Sequence, residues 1–330
     1  MHQPELIGVV AIGRNEGERL ITCLRSALDC CPNVVYVDSG STDGSVAAAE
    51  RLGVNVVNLD MSKPFTAARA RNAGALALLQ KHDLQFIQFI DGDCEFFDDW
   101  LKKAEHYLLQ NPSTAIVAGR LRERHPEASI YNRMCDIEWD TPEGDTQACG
   151  GIMMIRSETF KQVNGFNETL IAGEEPEMCV RLRQKGWKIH RLADDMALHD
   201  ADMHHFSQWW KRSQRAGYAY AEGASLHGAP PEQHWVKERN RAWVWAVVIP
   251  LLCLALACYK PLLGLLVLGV YPLQIVRTAR HFAHLGSFKW TQASFLMLGK
   301  FAEITGQFRF YKNILCNRQA PLIEHKRKGP

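Results

Sequence analysis

Short apolar runs alternate with helically spaced segments through the first part of the chain. Leu6 to Ile12 is an apolar run that Gly13-Arg14-Asn15-Glu16 breaks. Residues 17–28 then place Leu20, Leu24, Ala27 and Leu28 on one helix face. Val34-Val35-Tyr36-Val37 is β-branched and aromatic and ends at Asp38. Ser39 to Thr42 read as a turn, and Asp43 is placed to cap a helix running to about Leu52. Val54 to Leu59 reads as a strand, Thr66 to Leu79 as an alanine-rich helix and Phe86 to Ile90 as a fourth strand. A helix from about Trp100 to Leu109 and a strand from Ala115 to Ala118 follow. This order predicts an α/β fold, with a mostly parallel sheet and helices on both faces. No GxGxxG follows the first strand, so the dinucleotide fingerprint is absent.

The last hundred residues differ. Ala242 to Tyr259 is apolar and uncharged, Lys260-Pro261 interrupts it, and Leu262 to Val276 is apolar again. Each arm is at the short end for a membrane span. Lys237, Arg239 and Arg241 precede the pair, and Arg277 and Arg280 follow it. Basic outer ends predict a hairpin with both ends on the cytoplasmic side, and Trp243 and Trp245 suit an interfacial belt. A re-entrant or interfacial hairpin is the alternative, and a buried soluble hairpin the third reading. Phe288 to Leu315 mixes aromatics with lysine and arginine, as a surface-lying amphipathic helix does. The tail His325-Lys326-Arg327-Lys328 is a basic patch suited to anionic lipid.

Composition narrows the classes. The 330 residues are 47% hydrophobic and 22% charged, which predicts a packed core rather than disorder. A net charge of +2 argues against nucleic acid as the main partner. The ten cysteines show no CxxC or zinc spacing and read as reduced thiols in a cytoplasmic domain. Met1 to Glu5 is polar and lacks the parts of a secretory signal.

Candidate chemistry centres on Asp91-Gly92-Asp93, at the end of the fourth strand. Two carboxylates one residue apart can share a hard divalent cation, and Mg²⁺ is typically held by one or two carboxylates plus substrate phosphates. An ordinary turn uses the same residues. Glu174-Glu175 opens a helical pattern continued by Met178 and Leu182. Paired carboxylates raise one pKa by repulsion, as a base near neutral pH requires. A helix N-terminus also favours acidic residues for its dipole alone.

In order along roughly the first 225 positions, the chain resembles a family 2 glycosyltransferase of the GT-A fold, the membrane-associated bacterial type. The matching residues are Asn15-Glu16, Val37 to Gly44, Ala70-Arg71-Asn72-Ala73-Gly74 and Asp91-Gly92-Asp93. Gly150-Gly151 leading to Arg156, Gly165-Phe166-Asn167, Gly173-Glu174-Glu175 with Arg181, and Gly186-Trp187 complete them. The implied organisation is a GT-A domain over 1–225, a linker over 226–241, an apolar helical hairpin over 242–276 and an amphipathic, basic tail over 277–330.

The resemblance implies transfer of one sugar from a nucleotide-diphosphate donor to a lipid-linked or saccharide acceptor near the membrane, by a single displacement with inversion. It places the enzyme at the bacterial inner membrane, in cell-envelope polysaccharide synthesis. Asp38 goes to the base or ribose, or only braces its turn; Glu16 and Asn15 touch the nucleoside or stabilise their loop. Arg71 lies near the nucleotide, Asp91 contacts ribose or metal, and Asp93 and His199 hold Mn²⁺ or Mg²⁺, ahead of His204 and His205. Arg212 and Arg215 suit the diphosphate, because a guanidinium fits phosphate geometry. Trp209 and Trp210 stack on a sugar or anchor at the bilayer interface. Gln208 to Arg215 does not match the Gln-x-x-Arg-Trp motif of processive synthases. Glu175 stands where the family usually has aspartate; it is named as general base, with Glu174 as the alternative, while Arg181 braces the segment. Trp139, Asp140 and Glu143 line the acceptor cleft or a plain surface loop. Two rivals remain: a nucleotidyltransferase, whose Gly-rich signature is missing after the first strand, and a catalytically silent membrane scaffold, which the Glu175 departure alone suggests.

Overall fold

A computed structural model describes residues 6–316. Met1 to Glu5 and the basic tail His325 to Lys328 lie outside the described residues. The chain forms two compact units, one ending at His204 and the other beginning at His205.

The first unit opens with β1 (Ile7–Gly13), α1 (Glu18–Cys30), β2 (Val34–Asp38), α2 (Ser45–Arg51), β3 (Asn55–Asn58), α3 (Ala67–Lys81) and β4 (Phe86–Asp91). It continues with β5 (Cys94–Phe96), α4 (Trp100–Gln110), β6 (Thr114–Glu123), α5 (Ile130–Trp139), β7 (Gly144–Thr146) and β8 (Met153–Arg156). It closes with α6 (Ser157–Gln162), α7 (Glu174–Gln184) and β9 (Lys188–His199). Among the described residues, the sheet runs β3-β2-β1-β4-β8-β6-β9-β5, with β7 also paired to β9. Strands β3, β2, β1 and β4 are parallel. Strand β8 is antiparallel to both neighbours, whereas β6 and β9 are parallel.

Strands β1 and β4 are buried along almost their whole length, as central parallel strands are. Phe89 on β4 packs against Phe160 at 5.7 Å and Phe166 at 5.2 Å. Truncating Phe89 would cost roughly 3–5 kcal/mol and loosen the loop that holds Phe166. The chain leaves β1 for β2 on one side and returns through α3 to β4 on the other. Ligands bind beyond the carboxyl ends of strands at such a switch point. In register there, Gly13 faces Asp38 and Ile12 faces Asp91.

The sequence pattern does not predict β5, β7, β8 or α5. Strands of three or four residues carry too few positions to show a period. The pairing of β9 with β6 has register shifts near Ala118 and Arg120, and such irregularities blur alternation. Helix α2 has Gly44, at φ 84°, as its N-cap, one residue beyond the expected Asp43. Asp43 Oδ1 still accepts the Ser45 amide at 3.0 Å, because glycine takes the left-handed backbone and the carboxylate reaches over it.

The second unit contains α8 (Phe206–His227), α9 (Val236–Trp243), a π turn (Val244–Val248), α10 (Ile249–Tyr259), α11 (Pro261–Leu268), α12 (Val270–His281) and α13 (Phe288–Leu315). Helix α8 belongs here, although the sequence expectation extended the first domain to 225. The reason is its close crossing with α13: a Cβ on Gly217 would lie 2.0 Å from the Glu303 carbonyl, and one on Gly306 2.0 Å from that of Gln214. Helix α9 takes up the C-terminal part of the expected 226–241 linker, from Val236, and continues into the first arm. The two arms become helices Val236–Tyr259 and Pro261–His281, each long and apolar enough to cross a membrane. They exceed the apolar runs because helical geometry continues into the charged flanks. Lys260 is extended, and Pro261 starts the second arm where its missing N–H costs nothing. Among the described residues, α13 matches its expected bounds, and its buried face includes Gln292, Glu303 and Gln307.

Candidate active site

Helix α3 delivers Arg71 to the centre of the first unit. Thr66 caps the helix by accepting the Arg69 amide at 3.2 Å. Gly74 lets α3 lie on the sheet, since a Cβ there would fall 2.3 Å from Val10 Cγ1. Arg71 is 3% exposed and contacts three carboxylates. Its Nη2 donates to Asp91 Oδ1 at 2.9 Å, its Nη1 donates to Glu174 Oε1 at 2.9 Å, and Nη1 lies 2.7 Å from Glu175 Oε1. Phe166 lies under the guanidinium, 5.7 Å from Cζ to ring centroid. Burial opposes the charge, but Glu175, Asp91 and Glu174 hold this arginine protonated, its pKa raised.

Glu174 and Glu175 begin α7 behind Gly173, whose φ of 81° suits glycine. Burial first, then the charge of Glu174, pushes the Glu175 carboxyl up to about 7 against the pull of Arg71. A carboxylate poised there can exchange a proton near neutral pH. Gly151 closes over this pair: a Cβ on it would lie 2.2 Å from Arg71 Nη2 and 2.8 Å from Glu175 Oε1. Asn72 clamps the neighbouring loop, accepting the Phe166 amide at 2.9 Å and donating to the Phe166 carbonyl at 2.9 Å. Arg181 braces α7, pairing with Glu177 at 2.7 Å and donating to the Gly165 carbonyl at 2.9 Å.

At the β2 end, Asp38 accepts from Tyr36 Oη at 2.8 Å and from the Gly40 and Ser41 amides at 2.9 and 2.8 Å. Both its oxygens are engaged within its own turn. Asn15, at φ 56°, receives the Thr42 amide on Oδ1 at 2.7 Å and donates its own amide to Ser41 Oγ at 2.9 Å. Glu16 pairs with Arg19 at 2.7 Å, and Arg19 also lies 3.7 Å from Asp200.

Asp93 is 2% exposed. Donor atoms of Asp93, Cys94 and His199 all lie within 4.8 Å of one another. Asp93 Oδ2 is 3.5 Å from His199 Nε2. Metal–ligand distances of about 2.0–2.3 Å put donors on opposite sides of one ion up to about 4.6 Å apart, and the Asp93–His199 pair falls within that reach. His199 Nδ1 is a buried nitrogen without a hydrogen-bond partner among the described residues. Asp91 is absent from this donor cluster; one of its oxygens serves Arg71, and its side chain is one-third exposed.

The sequence reading missed Cys94, Glu123 and Arg19. Cys94 had a signal, its place directly after Asp93. Glu123 Oε2 stands 4.0 Å from His199 Nδ1, and the two residues are partners in the β6–β9 register. No local pattern marks such a pairing. His204 pairs with Asp202 at 3.1 Å, and His205 is the N-cap of α8. Arg212, Arg215, Trp209 and Trp210 lie on α8 in the second unit, where Trp209 packs edge-on against Phe295 at 4.9 Å. Trp139 meets the His199 ring edge-on at 4.7 Å. Asp140 and Glu143 line a shallow groove with Arg120 and Arg191, and Asp140 pairs with Arg120 at 3.1 Å.

Residues 9–164 match the family model described as glycosyl transferase family 2, and residues 134–205 match one described as the N-terminal domain of galactosyltransferase. Over 50% of the chain it is 27% identical to the O-antigen chain rhamnosyltransferase RfbN of Salmonella typhimurium, covering 56% of that protein. Over 55% of the chain it is 26% identical to the pre-mycofactocin glycosyltransferase of Mycobacterium tuberculosis, covering 39% of it. The chain thus spans about half the length of the curated relatives it matches. The fold is shared with the mannosyltransferase PcManGT from Pyrobaculum calidifontis, solved with GDP-Man and Mn²⁺. That likeness has a TM-score of 0.62 and 15% identity over 93% of this chain and 88% of that one. S. aureus TarS shares it at a TM-score of 0.50 and 14% identity, over 87% of this chain and 54% of that one.

Proposed function

Because residues 9–164 carry the domain of family 2 glycosyltransferases, we propose that this protein moves one sugar from a nucleotide-diphosphate donor to a lipid-linked or saccharide acceptor held at a membrane. The carrying observation is the Arg71 hub, which joins Asp91, at the strand end where a donor would bind, to Glu175 on α7. Asp38 and Glu16 border the nucleoside, and Asp91 reaches the ribose through the oxygen that does not accept from Arg71. Asp93 and His199 hold Mn²⁺ or Mg²⁺. Such an ion stabilises the charge that develops on the departing diphosphate. Glu175 takes the acceptor hydroxyl proton, with Glu174 as the alternative base, and the oxygen attacks the anomeric carbon in one displacement that inverts it.

The mannosyltransferase solved with GDP-Man and Mn²⁺ supports a metal-dependent donor site. The O-antigen relative supports a cell-envelope polysaccharide role. The two apolar helices support membrane attachment, with the catalytic unit at the cytoplasmic face of a bacterial inner membrane.

Calorimetry on the full chain in detergent, with UDP, GDP and their sugars with and without Mn²⁺, tests this reading. One nucleotide sugar should bind in an Mn²⁺-dependent way, and Asp93→Ala should abolish that dependence together with transfer. Full activity in Asp93→Ala would remove the metal role; no binding of any nucleotide sugar would remove the enzyme reading.

A further inference from the structure

We infer that Glu123 is a positioning residue that holds His199 in the tautomer able to take a metal on Nε2. The inference rests on the metal reading above. Glu123 is 4% exposed and ends β6 directly across from His199 at the end of β9. Its carboxylate is fixed by three donors. Oε1 accepts the His125 amide at 3.2 Å and Asn132 Nδ2 at 3.1 Å, and Oε2 accepts the Ala201 amide at 3.1 Å. Oε2 then faces His199 Nδ1 at 4.0 Å, and among the described residues the ion pair of Glu123 is with His199.

On the other side of the ring, Nε2 stands 3.5 Å from Asp93, and Trp139 packs edge-on at 4.7 Å. The imidazole therefore lies between a carboxylate that would share a cation and a carboxylate that can only accept a proton. A neutral imidazole carries one N–H, and the nitrogen that binds metal must be the other one. A fixed carboxylate facing Nδ1 favours that tautomer against the pull of Asp93 on Nε2 and makes Nε2 more basic, the usual role of a carboxylate behind a ligating histidine. At 4.0 Å the contact is too long for a hydrogen bond, so Glu123 acts on Nδ1 here as a fixed negative charge facing it.

The test uses the full chain in detergent. Nitrogen NMR of the histidine-labelled, metal-free protein, with His199→Asn to assign the signal, should show the His199 proton on Nδ1. A proton on Nε2 overturns the inference. Titration with Mn²⁺ alone, read by electron paramagnetic resonance, should show Glu123→Gln binding about 10–100-fold more weakly. Its melting temperature in EDTA should stay within about 3 °C of the parent. Unchanged Mn²⁺ affinity in the folded variant overturns the inference. His199→Ala should weaken Mn²⁺ at least as much; if it does not, the metal assignment itself fails. If Glu123→Gln does not fold, the tautomer measurement decides alone.

Discussion

Nη1 of Arg71 lies 2.7 Å from Oε1 of Glu175, although the two residues are more than a hundred positions apart in sequence. The same guanidinium reaches Asp91 and Glu174. Three carboxylates share one buried cation, so the cluster carries excess negative charge. Much of the chemistry proposed for this protein follows from where that excess is relieved. Glu175 relieves it by keeping a proton to about pH 7.

Glu175→Gln should lower transfer by about 10²–10⁴-fold while donor binding persists. Single-turnover transfer and donor calorimetry measure the two separately. If Glu174→Gln produces that pattern and Glu175→Gln does not, the base is Glu174.

Acidity should show in both rate and stability. Transfer should rise with pH through about 7, as Glu175 loses its proton. Its folded pKa stands above the ordinary 4.5. Between those values the native state binds the extra proton, and stability falls as pH rises. The full effect is at most roughly 3 kcal/mol above pH 7. Glu175→Gln should flatten that slope and melt higher than the parent at pH 8, read by thermal unfolding across pH 4 to 9. A parent slope unchanged by the substitution would mean Glu175 is ionised throughout.

Arg71→Met should destabilise the first unit by about 3–5 kcal/mol, because it strands buried carboxylates without their cation. Since Arg71 opposes the rise of the Glu175 pKa, any surviving activity should shift to higher pH. Arg71→Lys should rescue little, because an ammonium cannot span three carboxylates as a planar fork does. Denaturant unfolding and the pH–rate profile check both statements.

Gly151→Ala should impair catalysis without touching the metal cluster. Its Cβ would displace both Arg71 and Glu175. Transfer should drop at least about 10-fold, since misplacement by 1 Å can cost about 10²-fold, while Mn²⁺ affinity holds. Equal loss of both would place Gly151 in the general architecture instead.

Leu254 and Leu265 are 63% and 64% exposed on the two apolar helices. Leu254→Asp with Leu265→Asp should release the chain from membranes under alkaline carbonate, because each mid-span aspartate costs about 2.5–3.5 kcal/mol in lipid. Retention of the double variant would argue that the hairpin is not what holds the protein there.

The alternating strands and helices as far as β4 were readable from spacing, and α13 matched its expected bounds. The placing of Asp91 and Asp93 at a strand end was readable for the same reason. Burial of alternate or helically spaced side chains is a local property, and it leaves its period in the residues themselves. Register and long-range pairing leave no such mark. That Arg71 takes Asp91, Glu174 and Glu175 together, that Glu123 meets His199 across β6 and β9, that Cys94 joins the donor cluster and that α8 packs with α13 were decided by tertiary packing. Each depends on which distant backbone is close enough to touch. Even the hairpin arms lengthened beyond their apolar runs, because a helix, once started, adds a hydrogen bond for each further residue whatever its polarity.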